Sequence, residues 1–137
     1  MVCYDIVNAS RRRKIQKKLE GYGERVQYSV FECDLSQSQL NALEEVITKN
    51  INKDEDSIRF YSLCNACSAK VGYIGTGEVK EDDSFLSYKL DMLTIITYDI
   101  TDDGRREQVS SELKNYGMRV QKSVFECYVD NELLDKL

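Results

Sequence analysis

The sequence predicts an α+β protein with a ferredoxin-like fold, in which two helices pack on one face of an antiparallel sheet. Three observations lead to this prediction. Over the first 80 residues, strand-like and helix-like hydrophobic patterns alternate in the order β-α-β-β-α-β. A glycine-punctuated stretch at 70–79 predicts an extra C-terminal strand. The first half of the same pattern then starts again 94 residues downstream, which predicts a partial βαββ repeat.

The first four elements follow from local patterns. VCYDIV at 2–7 combines apolar residues with one carboxylate near its end, which predicts a buried strand. NAS at 8–10 supplies a helix N-cap, and apolar residues recur at helical spacing until GYG at 21–23 ends the helix. RVQYSVFECDL at 25–35 is rich in β-branched and aromatic residues. It is long enough for two short strands joined by a tight bend.

Two further elements complete the predicted sheet. SQSQ at 36–39 caps a second helix, along which the apolar residues keep helical spacing. These apolar residues are Leu40, Leu43, Val46, Ile47 and Ile51. SIRFYSL at 57–63 then alternates as a strand.

The repeat is visible in the letters themselves. RVQYSVFEC at 25–33 returns as RVQKSVFEC at 119–127, and YDI and YG recur upstream in the same register. Between Tyr4 and Cys33, 16 of 30 positions are identical to those 94 residues later. We therefore predict a unit at 1–80 with a clipped first strand, a linker at 81–91, and a truncated second copy at 92–137.

Composition and charge argue against several classes of protein and of functional site. The chain carries a net charge of −5, and no apolar run reaches the roughly 18 residues of a membrane span. With no signal peptide and an odd number of cysteines, five, we expect reduced thiols and a cytoplasmic protein. Histidine is absent, so imidazole catalysis is excluded. CNAC at 64–67 offers two of the four ligands of a structural zinc site, so zinc is not expected without a partner chain.

Asp5 and Asp99 are the first candidate site residues, because both stand in an identical tripeptide at the end of an apolar strand. A carboxylate there is near the surface, paired, or bound to a cation. If two such units pack together, their carboxylates can meet at one Mg²⁺, which needs only one or two protein ligands. The alternative is that each aspartate caps the following helix or pairs with an arginine.

The second set of candidates is cationic. The repeated arginines are predicted to contact phosphate, because a guanidinium fork matches phosphate geometry; they are Arg11, Arg12, Arg25, Arg105, Arg106 and Arg119. Arg13 and Lys17 are not repeated and are predicted to lie on a solvated helix face. Phe31 and Phe125 have the size and alternation of core residues, and the alternative for them is contact with a nucleic-acid base.

In this order, YDI, an arginine-rich first helix, YG and R-V-Q-x-S-V-F-E-C resemble the CRISPR-associated protein 2 family. The first copy resembles that family over essentially its whole length, and the second over its N-terminal half. The resemblance implies ferredoxin-fold homodimers in which the strand-end aspartates, here Asp5 and Asp99, face each other and share Mg²⁺. It also implies metal-dependent endonuclease activity on single-stranded RNA or double-stranded DNA, beside the CRISPR integrase subunit.

The sequence thus supports a Mg²⁺-dependent endonuclease of CRISPR spacer acquisition that acts on single-stranded RNA, double-stranded DNA or both. The first alternative is a non-catalytic scaffold that bridges DNA for a partner integrase. A toxin-type ribonuclease of similar fold is a third possibility. In each case nucleic acid is the expected partner, and the expected assembly is a homodimer or an internal pseudo-dimer.

Overall fold

The computed structural model describes residues 1–72, 74, 75 and 92–129. The chain divides into two compact units, Met1–Tyr61 and Ser62–Leu137. The linker predicted at 81–91 lies outside the described residues, so the predicted domain boundaries stay a prediction. None of the described helices is long and apolar enough to cross a lipid bilayer.

The first unit has the predicted order of elements. They are β1 (Val2–Asp5), α1 (Ala9–Leu19), β2 (Glu24–Gln27), β3 (Val30–Glu32), α2 (Gln37–Thr48) and β4 (Ser57–Phe60). The four strands form one antiparallel sheet in the order β2-β3-β1-β4, which places β1 in its interior. This is the ferredoxin-like arrangement, and it confirms the predicted fold class.

Both helices of the first unit begin at the predicted caps. The Asn8 side chain accepts hydrogen bonds from the first turn of α1, and Ser36 and Gln39 form a capping box at α2. Apolar residues of both helices are buried against the sheet, where the core contains Ile15, Leu19, Leu43, Ile47, Tyr4 and Phe31. The hydrophobic spacing along each helix therefore set which face meets the sheet.

The second unit contains α3 (Asn65–Ser68), β5 (Met92–Thr97), α4 (Asp103–Leu113), β6 (Gly117–Gln121) and β7 (Val124–Val129). Its strands form an antiparallel sheet in the order β5-β7-β6, and no fourth strand joins it among the described residues. The short helix α3 was not predicted. Residues 70–72, 74 and 75 are not in a strand, and the rest of the strand predicted at 70–79 lies outside the described residues.

The repeated YG is explained by a close backbone approach. A Cβ atom built on Gly23 would lie 2.1 Å from the Glu32 carbonyl oxygen, and one on Gly117 would lie 2.3 Å from the Glu126 carbonyl oxygen. Both distances are far inside van der Waals contact, so only glycine allows these paired strands to come together. The repeated glycine is therefore a requirement of the strand pairing.

Candidate functional site

Asp5 is the last residue of β1, a strand that is paired on both sides. All four residues of β1 pair with β4, with Asp5 opposite Ser57. On the other side, the Tyr4 N–H donates to the Ser29 carbonyl over 3.0 Å. The Asp5 side chain is half-buried and stands at the exit of the strand, shortly before α1 begins. The sheet thus fixes where this carboxylate leaves the backbone.

Asp99 occupies the corresponding sequence position of the second unit in a different setting. Strand β5 ends at Thr97, two residues earlier, and Asp99 is exposed. Within the described part of the unit, β5 pairs only with β7, so no strand extends the pairing as far as Asp99. Asp5 and Asp99 lie in separate units, and their joint binding of one ion stays a prediction.

A buried carboxylate that the sequence did not reveal supports the loop after Asp5. The Asp56 side chain is 0% exposed and accepts hydrogen bonds from the Val7 and Asn52 N–H groups over 3.2 and 2.9 Å. Arg11 donates to both of its oxygens, over 2.8 Å from Nε and 3.2 Å from the terminal nitrogen. These contacts, above all the one with Arg11, hold the pKa of Asp56 below its ordinary range. We call this arrangement the Arg11–Asp56 clamp.

The clamp joins two loops that flank the candidate carboxylate. Val7 lies two residues after Asp5, and Asp56 directly precedes Ser57, which pairs with Asp5. Arg11 also donates to the Glu55 carboxylate over 2.6 Å, so its guanidinium binds two acidic residues, Asp56 and Glu55. This guanidinium, predicted to contact phosphate, is therefore engaged within the unit, and its role toward nucleic acid stays a prediction.

The other predicted arginines also have partners inside their own units. Arg12 donates to the Ile6 carbonyl over 3.1 Å, and Arg106 donates to the Ile100 carbonyl over 3.2 Å. Each bond ties the first turn of a helix to the loop that follows the strand-end aspartate. Arg105 differs, because it is exposed and lies 3.6 Å from the Asp102 carboxylate. Their predicted phosphate contacts likewise stay predictions.

Arg25 and Arg119 brace the bends of the two hairpins. Arg25 donates to the carbonyls of Gln27 and Tyr28, the latter over 2.6 Å, and its guanidinium lies 4.9 Å from the centre of the Tyr28 ring. Arg119 donates in the same way to the carbonyls of Gln121 and Lys122. The arginine in the repeated phrase thus stabilises the turn that follows it.

The repeated aromatic residues belong to the cores. Phe31 and Phe125 are each 0% exposed, and each ring packs 6.3 Å, between centroids, from a tyrosine of the neighbouring strand segment. Burial favours the core alternative over contact with a nucleic-acid base. The partner tyrosines, Tyr4 and Tyr98, donate their hydroxyls to carbonyls of the two hairpin bends.

Three exposed cations on α1 are ones to which the sequence analysis gave no binding role. Arg13, Lys14 and Lys17 are exposed on α1, and within the described residues none makes an ion pair or side-chain hydrogen bond. The signal that could have identified them is their absence from the repeat, where Glu107, Gln108 and Ser111 stand instead. We call these three residues the α1 basic face.

The carboxylate chemistry is compatible with a hydrated divalent ion. Among the described residues, no three aspartate, glutamate or cysteine side chains converge to form a closed metal cage. Mg²⁺ keeps several waters and is satisfied by one or two hard carboxylate oxygens, which Asp5 can supply at the surface of its strand end. The donor set thus fits a loosely held ion and does not fit a structural metal.

Comparison with known proteins gives one consistent result. The family model described as CRISPR associated protein Cas2 matches residues 1–71 and 92–137. The CRISPR-associated endoribonuclease Cas2 3 of Synechocystis is 52% identical over 63 residues, covering 46% of this chain and 68% of that protein. The CRISPR-associated endonuclease Cas2 of Halalkalibacterium halodurans is 40% identical over 80 residues, covering 55% and 83%.

Comparison with solved structures supports the same family. The crystal structure of Streptococcus pyogenes Cas2 superposes with a TM-score of 0.51 at 34% identity, covering 54% of this chain and 95% of that one. A Thermus thermophilus protein, TT1823, superposes with a TM-score of 0.54 at 36% identity, covering 58% and 93%. With most of its length matched by the family model, the chain belongs to the CRISPR associated protein Cas2 family.

Proposed function

We propose that this chain is a CRISPR-associated endonuclease that cleaves phosphodiester bonds with the help of a divalent metal ion, Mg²⁺ in the first instance. The observation that carries the proposal is the position of Asp5, whose carboxylate leaves a strand that is paired on both sides. The names of the similar proteins, endoribonuclease and endonuclease, support the same class of reaction. The proposed setting is the cytoplasm, which agrees with cysteines that form no disulfide.

Each residue has a separate task in this proposal. Asp5 holds the ion, and Asp99 supplies a second carboxylate when the two units, or two chains, associate. Mg²⁺ bound there would polarise a phosphoryl oxygen and make a nearby water more acidic. The α1 basic face binds the phosphates on either side of the bond to be cleaved. The Arg11–Asp56 clamp keeps the loop after Asp5 in place, so that the carboxylate meets the substrate in one geometry.

The experiment is a cleavage assay on the full chain with single-stranded RNA and with double-stranded DNA, with and without Mg²⁺. Asn replaces the carboxylate at both positions in the double variant Asp5→Asn, Asp99→Asn, which keeps size and polarity. We expect this variant to bind nucleic acid and to lose cleavage. Cleavage at the wild-type rate by the double variant would refute the catalytic role of Asp5 and Asp99. Cleavage by the wild-type chain in the presence of a chelator would refute the requirement for a metal ion.

A second function is favoured by a separate observation, the charge of α1. This helix carries six basic residues and no acidic one, which suits a surface that follows a duplex backbone. In this role the chain would bridge DNA as a homodimer or internal pseudo-dimer, and a partner integrase subunit would perform the chemistry. Binding that survives loss of both carboxylates, with no cleavage of any substrate by the wild-type chain, would favour the scaffold over the nuclease.

A further inference from the structure

The C-x-x-C motif at 64–67 has no part in the proposed function. It lies just beyond β4, where Cys64 forms the N-cap of the short helix α3 and Cys67 lies within that helix. Both cysteines are exposed. The motif therefore places two solvent-exposed thiols within one short turn of the chain.

The two sulfur atoms are already in contact. The Sγ atoms lie 3.1 Å apart, and the Cys67 N–H donates to the Cys64 sulfur over 3.3 Å. A disulfide requires a separation of about 2.05 Å, so the sulfurs must approach by about 1 Å. Because both side chains are exposed, this movement displaces no packed neighbour.

The other three cysteines have different surroundings. Cys3 and Cys127 are buried and Cys33 is half-buried, and burial raises the pKa of all three thiols, that of Cys3 to about 11. Cys64 is the exception, because its side-chain contact with the Cys67 thiol lowers its pKa. The pKa of Cys67 is raised by the same contact. Exposure and thiolate character thus coincide at Cys64, which are the two requirements for a reactive cysteine.

We propose that Cys64 and Cys67 form a reversible intramolecular disulfide by exchange with a small-molecule disulfide. In the first step the Cys64 thiolate attacks one sulfur of the small molecule, which gives a mixed disulfide and releases one thiolate. In the second step Cys67 loses its proton and attacks the Cys64 sulfur, which releases the second thiolate. Two electrons pass to the small molecule, which ends as two thiols, and the chain gives up two protons.

This modification site stands independently of the nuclease proposal, because that proposal gives neither Cys64 nor Cys67 a role. The disulfide would close a ring from Cys64 to Cys67 and hold the turn that follows β4 in one conformation. The segment after β4 thereby acquires two covalent states, selected by the thiol–disulfide balance around the protein.

The test uses the full chain and mixtures of reduced and oxidised glutathione. After equilibration, thiols are blocked under denaturing conditions and the chain is digested with trypsin. Cleavage after Arg59 and Lys70 leaves both cysteines in the single peptide 60–70. We expect this peptide to lose two hydrogens and to escape blocking, while Cys3, Cys33 and Cys127 are blocked as thiols. The variant Cys33→Ser serves as a control that leaves the disulfide unchanged.

The order of the two steps is tested with single variants. In Cys67→Ser the hydroxyl keeps a hydrogen-bonding group beside the Cys64 sulfur, so we expect a mixed disulfide with glutathione to form at Cys64. It should form at least about threefold faster than the one at Cys67 in Cys64→Ser. Both positions are exposed, so circular dichroism should show that both variants keep the wild-type fold.

Three results would overturn the proposal. The first is a 60–70 peptide that stays fully blocked at every glutathione ratio. The second is accumulation of mixed disulfides on the wild-type chain without ring closure. The third is a disulfide between two chains, visible as a dimer on a non-reducing gel.

Discussion

The two units contain the same hairpin but differ at the edge of the sheet and along the first helix. In both hairpins an arginine braces its own turn, a tyrosine hydroxyl donates to a turn carbonyl, and a phenylalanine is fully buried. Only the first unit, within the described residues, has a fourth strand and a buried acid like Asp56 beside it. The units therefore agree in the hairpin and its core and differ at the sheet edge and along the first helix.

The first helices of the two units, α1 and α4, also differ in charge. Helix α1 has six basic residues and no acidic one, whereas α4 has two basic and three acidic residues. Of the basic residues that both helices share, Arg12 and Arg106 donate to backbone carbonyls of their own unit, and Arg11 donates to the Asp56 carboxylate. Arg13, Lys14 and Lys17, which have no basic counterpart in α4, are exposed. Repetition within this chain therefore marks structural arginines, and the residues that are not repeated are the better candidates for binding.

The largest expected effect concerns the Arg11–Asp56 clamp. In Asp56→Ala, the Val7 and Asn52 N–H groups and the Arg11 guanidinium lose their acceptor, so we expect a loss of about 3 kcal/mol in unfolding free energy. Urea denaturation followed by circular dichroism measures it. The matched control is Asp103→Ala in the second unit, an exposed ion-pair residue whose loss should cost less than about 0.5 kcal/mol. Equal losses of unfolding free energy in the two variants would show that the clamp stabilises the chain no more than an exposed ion pair does.

The clamp also predicts how stability depends on pH. Because its pKa is lower in the folded chain than in the unfolded chain, Asp56 contributes its full stability above its ordinary pKa of about 4. That contribution is lost as the pH falls through the depressed value. The difference between wild type and Asp56→Ala should thus be constant from about pH 7 to pH 5 and shrink below about pH 4. A difference that grows on acidification would contradict the assignment.

The next effect separates the two candidate carboxylates. Because β4 holds the backbone of Asp5 and no described strand extends to Asp99, we expect Asp5→Asn to reduce metal-dependent cleavage by at least about 100-fold. For Asp99→Asn we expect a reduction below about tenfold. Initial rates at saturating Mg²⁺ provide the measurement. Equal losses from the two variants would mean that both carboxylates act as one symmetric pair, and the contrast between the units would fail.

A third experiment gives the α1 basic face the residues that stand at the corresponding positions of α4. In the triple variant Arg13→Glu, Lys14→Gln, Lys17→Ser, we expect affinity for duplex DNA to fall about 10- to 30-fold at moderate salt. The dependence of log affinity on log salt should become shallower by about 2 to 3. Lys114→Gln, which removes an exposed cation of the second unit, is the control and should change affinity less than about twofold. An unchanged salt dependence in the triple variant would exclude the α1 basic face as the surface that contacts DNA phosphates.

The smallest effect tests the part that the units share. Tyr4→Phe and Tyr98→Phe each remove one hydroxyl that donates to a turn carbonyl, over 3.0 and 3.2 Å. We expect each to lower the unfolding free energy by about 1 kcal/mol, with similar values because the two environments match. Thermal and urea unfolding give the two numbers. A loss confined to one variant would show that the hairpins are not equivalent although their nine-residue sequences differ at one position only.

Much of the fold could be predicted because its determinants are local. Hydrophobic spacing in α1 and α2, the caps at Asn8 and Ser36, and the β-favouring phrase at 25–33 act within a few residues of one another. The position of Asp5 at a strand end followed from the same spacing. These features need no knowledge of which distant segments meet.

The remainder depends on contacts between distant residues. Asp56 lies in an acidic run that looks like ordinary solvated surface, and its partner Arg11 is 45 residues away. The hydrogen bonds of Arg25 were not predicted, because a guanidinium in sequence shows no sign of the carbonyls that a bend turns toward it, and its phosphate contact stays a prediction. The C-x-x-C spacing was visible, but the sulfur contact and the exposure that make it reactive are properties of the folded chain.

The register of β1 has one more consequence, which concerns how the chain reaches its native state. Val2 pairs with Phe31, 29 residues away, but an identical phenylalanine stands 123 residues away in β7. Loop-closure entropy favours the nearer partner by only about 1.3 kcal/mol, roughly ninefold. During refolding, a strand from one unit therefore has a competing partner in the other. We expect exchange of strands between the units to act as a kinetic trap in the folding of this two-unit chain.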